Sequence, residues 1–286
     1  MQGSETRRKR RAAVATGDDP AELKRGTTLA ERGAGSIGRI LEILDLFTEE
    51  HPVVRVEDLM ARRDYTRSTA YRYVKALSDA GLVAPVGNGF YALGPRIVEL
   101  ERLMHMTDPL LQAAEAVLPD LAEAVPNSIV LLCSLYRDKV LCVLKAGPGS
   151  IHAEGRDIQI LRARGLPLPL FRGAASLAIL AFLPPHRIRS LYLDRQADIA
   201  EAGLGATWPE VRSRLAAIRR DGHMTTVGQF NPDLAAVAVP VLSRDRSEVV
   251  ASLTRILARH DFGPDFHHGE VQALKEGAAR LAARMP

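Results

Sequence analysis

From Ser36, a residue type suited to capping a helix, apolar residues recur at Ile37, Ile40, Leu41, Leu44 and Phe47. The spacing of three and four predicts an amphipathic helix, broken at His51-Pro52. A short second helix carries Val56, Leu59 and Met60, and Asp64-Tyr65-Thr66 makes a tight connection. A third helix is predicted over residues 67–80, ending at Gly81. Two short strands, at 82–86 and 90–93, flank Gly87-Asn88-Gly89, residue types that tolerate positive φ in a hairpin. Helix, helix, turn, helix and hairpin in that order make a winged helix-turn-helix.

Gly94-Pro95 opens a further helix over 96–106, where Ile97, Leu100 and Met104 are spaced as on a pairing seam. Asp108-Pro109 ends it. A helix at 110–125, with Pro119 as a kink point, then precedes apolar strands at 128–135 and 140–145 around the turn Arg137-Asp138. Gly147-Pro148-Gly149 reads as a loop. Helices follow at 174–182 and 186–193, and Thr207 with Glu210 forms a capping-box pattern opening a helix to Asp221. Strands at 224–230, 235–242 and 249–257 and a helix at 267–284 close the chain. The expected fold is α+β in two domains. The expected organisation is a disordered basic tail at 1–35, the winged helix-turn-helix at 36–94, a helical linker at 95–108 and a larger second domain at 109–286.

Composition narrows this. The 286 residues suit two domains, and 47% apolar residues suffice for real cores. Two cysteines exclude a disulfide scaffold and suit a reducing cytoplasm. No apolar run approaches a membrane span, and Arg7 to Arg11 lead into no apolar stretch, so neither membrane insertion nor secretion is expected. The net charge of +4 is mild, but Arg62, Arg63, Arg67, Arg72 and Lys75 are concentrated around the third helix against one acid, Asp64. For the tail arginines two readings stand, a solvated tail or non-specific phosphate contacts.

On a helical wheel of the third helix, Ala70, Tyr73, Val74 and Leu77 share one side and Arg67, Ser68, Tyr71, Arg72 and Lys75 the other. The second set, with Thr66 at the helix start, suits a DNA groove: Arg reads guanine edges and Lys meets phosphate. Asn88 at the hairpin tip is a DNA contact or a plain turn residue.

Arg67-Ser68-Thr69-Ala70-Tyr71-Arg72, Leu77, Ala80-Gly81 and Phe90-Tyr91-Ala92-Leu93-Gly94 resemble the IclR family of bacterial regulators. Gly165-Leu166-Pro167-Leu168-Pro169-Leu170, the run from Ala174 to Ala181 and the run from Asp233 to Val241 resemble that family's effector domain. The sequence departs from the family at Asp64, Ser176-Leu177, Gly228-Gln229 and Asp233. The resemblance implies a GAF/profilin-like C-terminal domain and a homodimer or tetramer that binds double-stranded operator DNA. It also implies an effector cavity lined by Leu168, Ala174, Ala175, Thr226, Leu234, Ala236 and Thr254. Small residues at 173–176 would let a carboxylate approach free backbone amides at a helix start, so a small organic acid, aromatic or not, is the expected effector. Repression or activation depends on where the operator sits relative to the promoter.

Other chemistry is weaker. Cys133 and Cys142 lie symmetrically about a turn, so a redox-sensing regulator is one alternative. An enzyme on the second domain with a DNA-targeting module is another, but Leu, Ala and Thr bind rather than catalyse. His260, Asp265, His267 and His268 match no strong zinc spacing. No Gly-rich phosphate loop or nucleophile elbow occurs, so neither metal, cofactor nor catalytic residue is expected. Trp208 is expected to anchor a core or interface.

Overall fold

The computed structural model describes residues 36–63, 65–160 and 164–285. The basic tail and Asp64 lie outside the described residues, as do the side chains of Arg62, Arg63 and Asp265.

The N-terminal part comprises α1 (Ser36–Leu41), a 3-10 turn (Leu44–Leu46), β1 (Val54–Arg55), α2 (Val56–Arg63), α3 (Arg67–Asp79), β2 (Val83–Gly87) and β3 (Phe90–Leu93). The first helix is shorter than its periodicity predicts. Ile37 and Leu41 are exposed, and Ile43 and Leu46 reach the core from the tighter turn that follows. Ile43, Val56, Leu59, Ala70, Tyr73, Val74, Leu77 and Val83 form this core. The hairpin gains a third strand, in the order β1-β3-β2. Its turn has φ of +100° at Gly87, +51° at Asn88 and +74° at Gly89, the left-handed conformations these residue types were expected to supply.

The α4 helix (Arg96–Thr107) leads into α5 (Pro109–Ala124), with Pro119 inside it. The Asp108 carboxylate accepts from the amides of Leu110 (2.8 Å) and Leu111 (3.3 Å), so one residue ends α4 and caps α5.

The remainder is built on β4 (Ser128–Tyr136), β5 (Lys139–Ala146), β8 (Pro167–Leu168), β9 (Met224–Val227), β10 (Leu234–Leu242) and β11 (Val249–Ala258). They form an antiparallel sheet in the order β8-β5-β4-β11-β10-β9. A separate hairpin joins β6 (Ser150–Ala153) to β7 (Arg156–Gln159). One face of the large sheet packs on α5 and on α10 (Pro264–Arg284) through Val130, Leu132, Val237, Val239 and Leu253. The other face carries Ile129, Leu131, Cys133 and Ile256. It is covered by α6 (Ala174–Leu180), with α7 (Pro185–Asp194), α8 (Gln196–Glu201) and α9 (Trp208–Asp221) beyond. Each strand alternates its side chains between these two layers.

Two local expectations change. Thr207 makes no side-chain cap to α9. Glu210 instead accepts from the Ala206 amide at 2.9 Å, which holds its carboxyl below the ordinary value. Phe230 lies in the turn after β9 rather than in the strand.

Candidate nucleic-acid interface and effector site

Thr66 caps α3, its hydroxyl accepting from the Thr69 amide at 3.4 Å. The helix buries Ala70, Tyr73, Val74 and Leu77, and Tyr65 meets the Tyr73 ring edge-on. Arg67, Ser68, Tyr71, Arg72 and Lys75 are all exposed on the other side. Arg67 stands 5.7 Å from the Tyr71 ring centre and Arg72 5.5 Å from that of Tyr73. Asn88 is exposed at the hairpin tip. The structure thus presents five polar helix residues on one face, with Thr66 committed largely to capping and Asn88 on a separate element.

The seven residues that the resemblance assigns to an effector cavity lie on α6 and four strands. Leu168 is on β8, Ala174 and Ala175 on α6, Thr226 on β9, Leu234 and Ala236 on β10, and Thr254 on β11. Ala174 and Ala178 pack against Ala238, with Met224 and Ala236 beside them. Thr226 pairs with Ala236, and Ala238 with Thr254. Small side chains on both sides let α6 lie close to the sheet. Gly173, at φ +91°, starts the helix, and a Cβ there would lie 2.7 Å from the Phe230 ring. Arg172 donates to the Gln229 carbonyl at 2.7 Å and stands 5.0 Å from the Phe230 ring centre, tying the turn after β9 to the start of α6.

On the α6 side of β11, the hydroxyls of Thr254 and Ser252 are buried without a hydrogen-bond partner. Both residues are almost wholly out of solvent. Ser252 was not singled out in the sequence, where it is a small polar residue inside an apolar run. Buried hydroxyls are normally bonded, because leaving one unpaired costs about 1–3 kcal/mol.

Cys133 and Cys142 face each other across β4 and β5 as buried thiols not joined in a disulfide. His267 bonds the Thr225 hydroxyl at 2.9 Å, whereas His260 lies beside Glu154 and Asp261. Among the described residues, no group of three His, Cys, Asp or Glu converges as a metal site. Trp208 packs on Tyr192, with Arg189 4.7 Å from its ring centre. Among the described residues no helix is long and apolar enough to cross a membrane.

A winged helix-turn-helix with an exposed basic helix, followed by a helix-covered antiparallel sheet, defines a DNA-binding regulator with an attached second module. Residues 36–87 match the family model of the IclR helix-turn-helix domain. The chain is 25% identical over 247 residues to the "Probable HTH-type transcriptional regulator ArcR" of Halobacterium salinarum, covering 86% of this chain and 91% of that one. Its fold is similar to that of an IclR family transcriptional regulator from Brucella abortus (TM-score 0.69, 17% identity, 93% of this chain and 98% of that one). It is also similar to an IclR homolog from Microbacterium hydrocarbonoxydans complexed with 4-hydroxybenzoate (TM-score 0.67, 21% identity, 87% and 98%). Residues 36–87 thus match the IclR helix-turn-helix, and the chain as a whole is similar to HTH-type and IclR-family transcription regulators.

Proposed function

We propose that the protein is a ligand-responsive regulator. Residues 36–94 read operator DNA, 95–108 link, and 109–286 bind an effector that shifts operator affinity. The observation that carries the sensing half is the pair of buried, unpartnered hydroxyls, Thr254 and Ser252, on the sheet face beneath α6. A ligand supplying their missing partners would be favoured there, with Leu168 and Leu234 as apolar walls. The ligand class, a small organic acid, is supported by the 4-hydroxybenzoate complex of the Microbacterium protein.

For the DNA half, α3 supplies Arg67 and Arg72 for bases or phosphate, Lys75 for phosphate, and Ser68 and Tyr71 for adaptable contacts. Thr66 orders the helix start, and Asn88 meets the backbone from the wing. A homodimer would present two such helices to two half-sites. Support for pairing comes from α4, which buries none of its residues while Val98, Leu100, Leu103, Met104 and Met106 are exposed. A DNA-bound role places the protein in the cytoplasm, with no catalytic residue, cofactor or metal.

The test is calorimetry of the full chain with substituted benzoates, short-chain acids and their neutral amides, followed by gel shift with upstream intergenic DNA. The reading expects an acid to bind and change DNA affinity. Binding by neutral compounds alone overturns the acid assignment, and binding without any change in DNA affinity overturns the regulatory one.

A further inference from the structure

We infer that Arg55 is a second DNA-anchoring point, a phosphate clamp built in beside the tip of the wing. The inference rests on the DNA-binding reading but on different residues from the recognition helix.

The strand β1 is only two residues long, and they divide its work. Val54 is buried in the winged-helix core, and Arg55 points outward. Val54 pairs with Tyr91 and Arg55 with Phe90 on β3. Phe90 directly follows the left-handed turn Gly87-Asn88-Gly89, so the Arg55 guanidinium is held one residue from the wing tip. Its Cζ stands 4.0 Å from the Phe90 ring centre, well within the range of a cation–π contact.

Among the described residues Arg55 has no ion pair. Asp58, three residues on, accepts the Arg55 backbone amide at 3.0 Å. That carboxylate therefore fixes the turn into α2 and does not neutralise the guanidinium. The result is an exposed cation, without an ion pair among the described residues, whose Cζ lies over an aromatic ring.

Among the described residues the Arg55 guanidinium makes no side-chain hydrogen bond, so its N–H edge can serve a ligand. That edge matches two oxygens of one phosphate, and a guanidinium sheds water more readily than an ammonium. Holding the long side chain in place before DNA arrives removes ordering cost from binding. Glu57 and Asp58 follow in the first turn of α2 and would repel a broad anionic surface. The geometry therefore suits a single phosphate beside the wing. The other use of such a stack is structural, an arginine stem and fork covering an apolar ring.

The experiment measures binding of full-length protein to a duplex of upstream intergenic DNA, and to a scrambled duplex of equal composition, over a range of salt. Variants are Arg55→Ala, Arg55→Lys and Arg67→Ala, each checked by thermal melting. Arg55→Ala is expected to weaken both duplexes about tenfold and equally. The slope of log affinity against log salt should fall in magnitude by about 0.9, the signature of one lost phosphate contact. Arg55→Lys keeps the charge, so it should keep the slope while losing part of the affinity. Wild-type affinity and slope in Arg55→Ala, with Arg67→Ala impaired, overturns the clamp and leaves the recognition helix standing. Loss of affinity at unchanged slope assigns Arg55 to wing packing instead, and loss confined to the intergenic duplex assigns it to base reading; either overturns the clamp. Failure of the wild-type protein to bind either duplex overturns the DNA reading itself.

Discussion

Arg255 and Glu270 form an ion pair with both side chains out of solvent, 2.5 Å from Nε to Oε1. The same guanidinium donates to the Ser128 hydroxyl at 2.6 Å and to the Leu121 carbonyl at 2.7 Å. One side chain on β11 thus ties together α10, β4 and the end of α5, on the sheet face opposite Thr254. Burial lifts the Glu270 carboxyl above its ordinary value, against the pull of Arg255.

Removing either partner strands the other in the interior. Arg255→Met is expected to cost about 3–5 kcal/mol in urea denaturation, and the double variant Arg255→Met/Glu270→Leu less than the single one. Without Arg255, burial alone acts on Glu270 and raises its folded pKa further above the unfolded one. The folded variant then binds a proton more tightly than the unfolded chain, so the deficit should shrink as pH is lowered. A deficit independent of pH would mean that the lost bonds to Ser128 and Leu121 dominate.

His267 gives a pH dependence of the opposite sense. Burial, then the neighbouring His223 and His268, lower its pKa. The folded protein favours the neutral ring. This stability is present above the ordinary histidine value and declines as pH falls through the folded one. Denaturation midpoints should therefore drop between about pH 7 and pH 5, and His267→Gln, which keeps a bond to Thr225 available, should flatten that drop. An unchanged pH profile in the variant would remove His267 as the cause.

The two hydroxyls on β11 give a paired test. Thr254→Val replaces an unpartnered hydroxyl with a methyl, so the ligand-free protein should hold or gain up to about 1 kcal/mol in stability. Effector binding should weaken about tenfold, the size of one lost hydrogen bond in a dry site. Ser252→Ala should behave likewise. A variant that loses stability but binds ligand normally would show that the hydroxyl serves packing.

What was legible in the sequence follows the physics of each element. The third helix could be read because Ala70, Tyr73, Val74 and Leu77 repeat at helical spacing, and the hairpin because three residues in a row accept positive φ. The strand β1 was not, since two residues carry no period. The β6–β7 hairpin was missed because its strands are only four residues each. Arg255 reads as a polar break in an apolar strand, because its partner Glu270 is brought to it only by the packing of α10. The effector positions came from resemblance, and Ser252 escaped because a serine in a strand carries no sign of which way it faces.

The exposed polar face of α3 is the most direct target. Arg67 and Arg72 are exposed on α3, with Tyr73 buried beneath as the core anchor. Arg67→Ala and Arg72→Ala should each weaken operator binding by about 1–3 kcal/mol if they read bases, and relax preference at one position of each half-site. Gel shifts against a panel of single-base operator variants check both effects. Wild-type affinity in both variants would mean that another element reads the DNA.

The last expectation concerns α4. Val98 is 71% exposed and Met106 56%, and the helix contributes nothing to a core of its own chain. Burying such side chains gains about 25 cal/mol per Å² of apolar surface, which in one chain goes unrealised. A second copy would realise it and would also set the half-site spacing by fixing the distance between two α3 helices. Leu103→Lys combined with Met104→Lys puts two charges on that surface and leaves the cores untouched. Sedimentation should show a shift toward lighter species, and operator binding should weaken while the melting of each domain stays as in wild type. Unchanged sedimentation and unchanged half-site preference would place the pairing surface elsewhere on the chain.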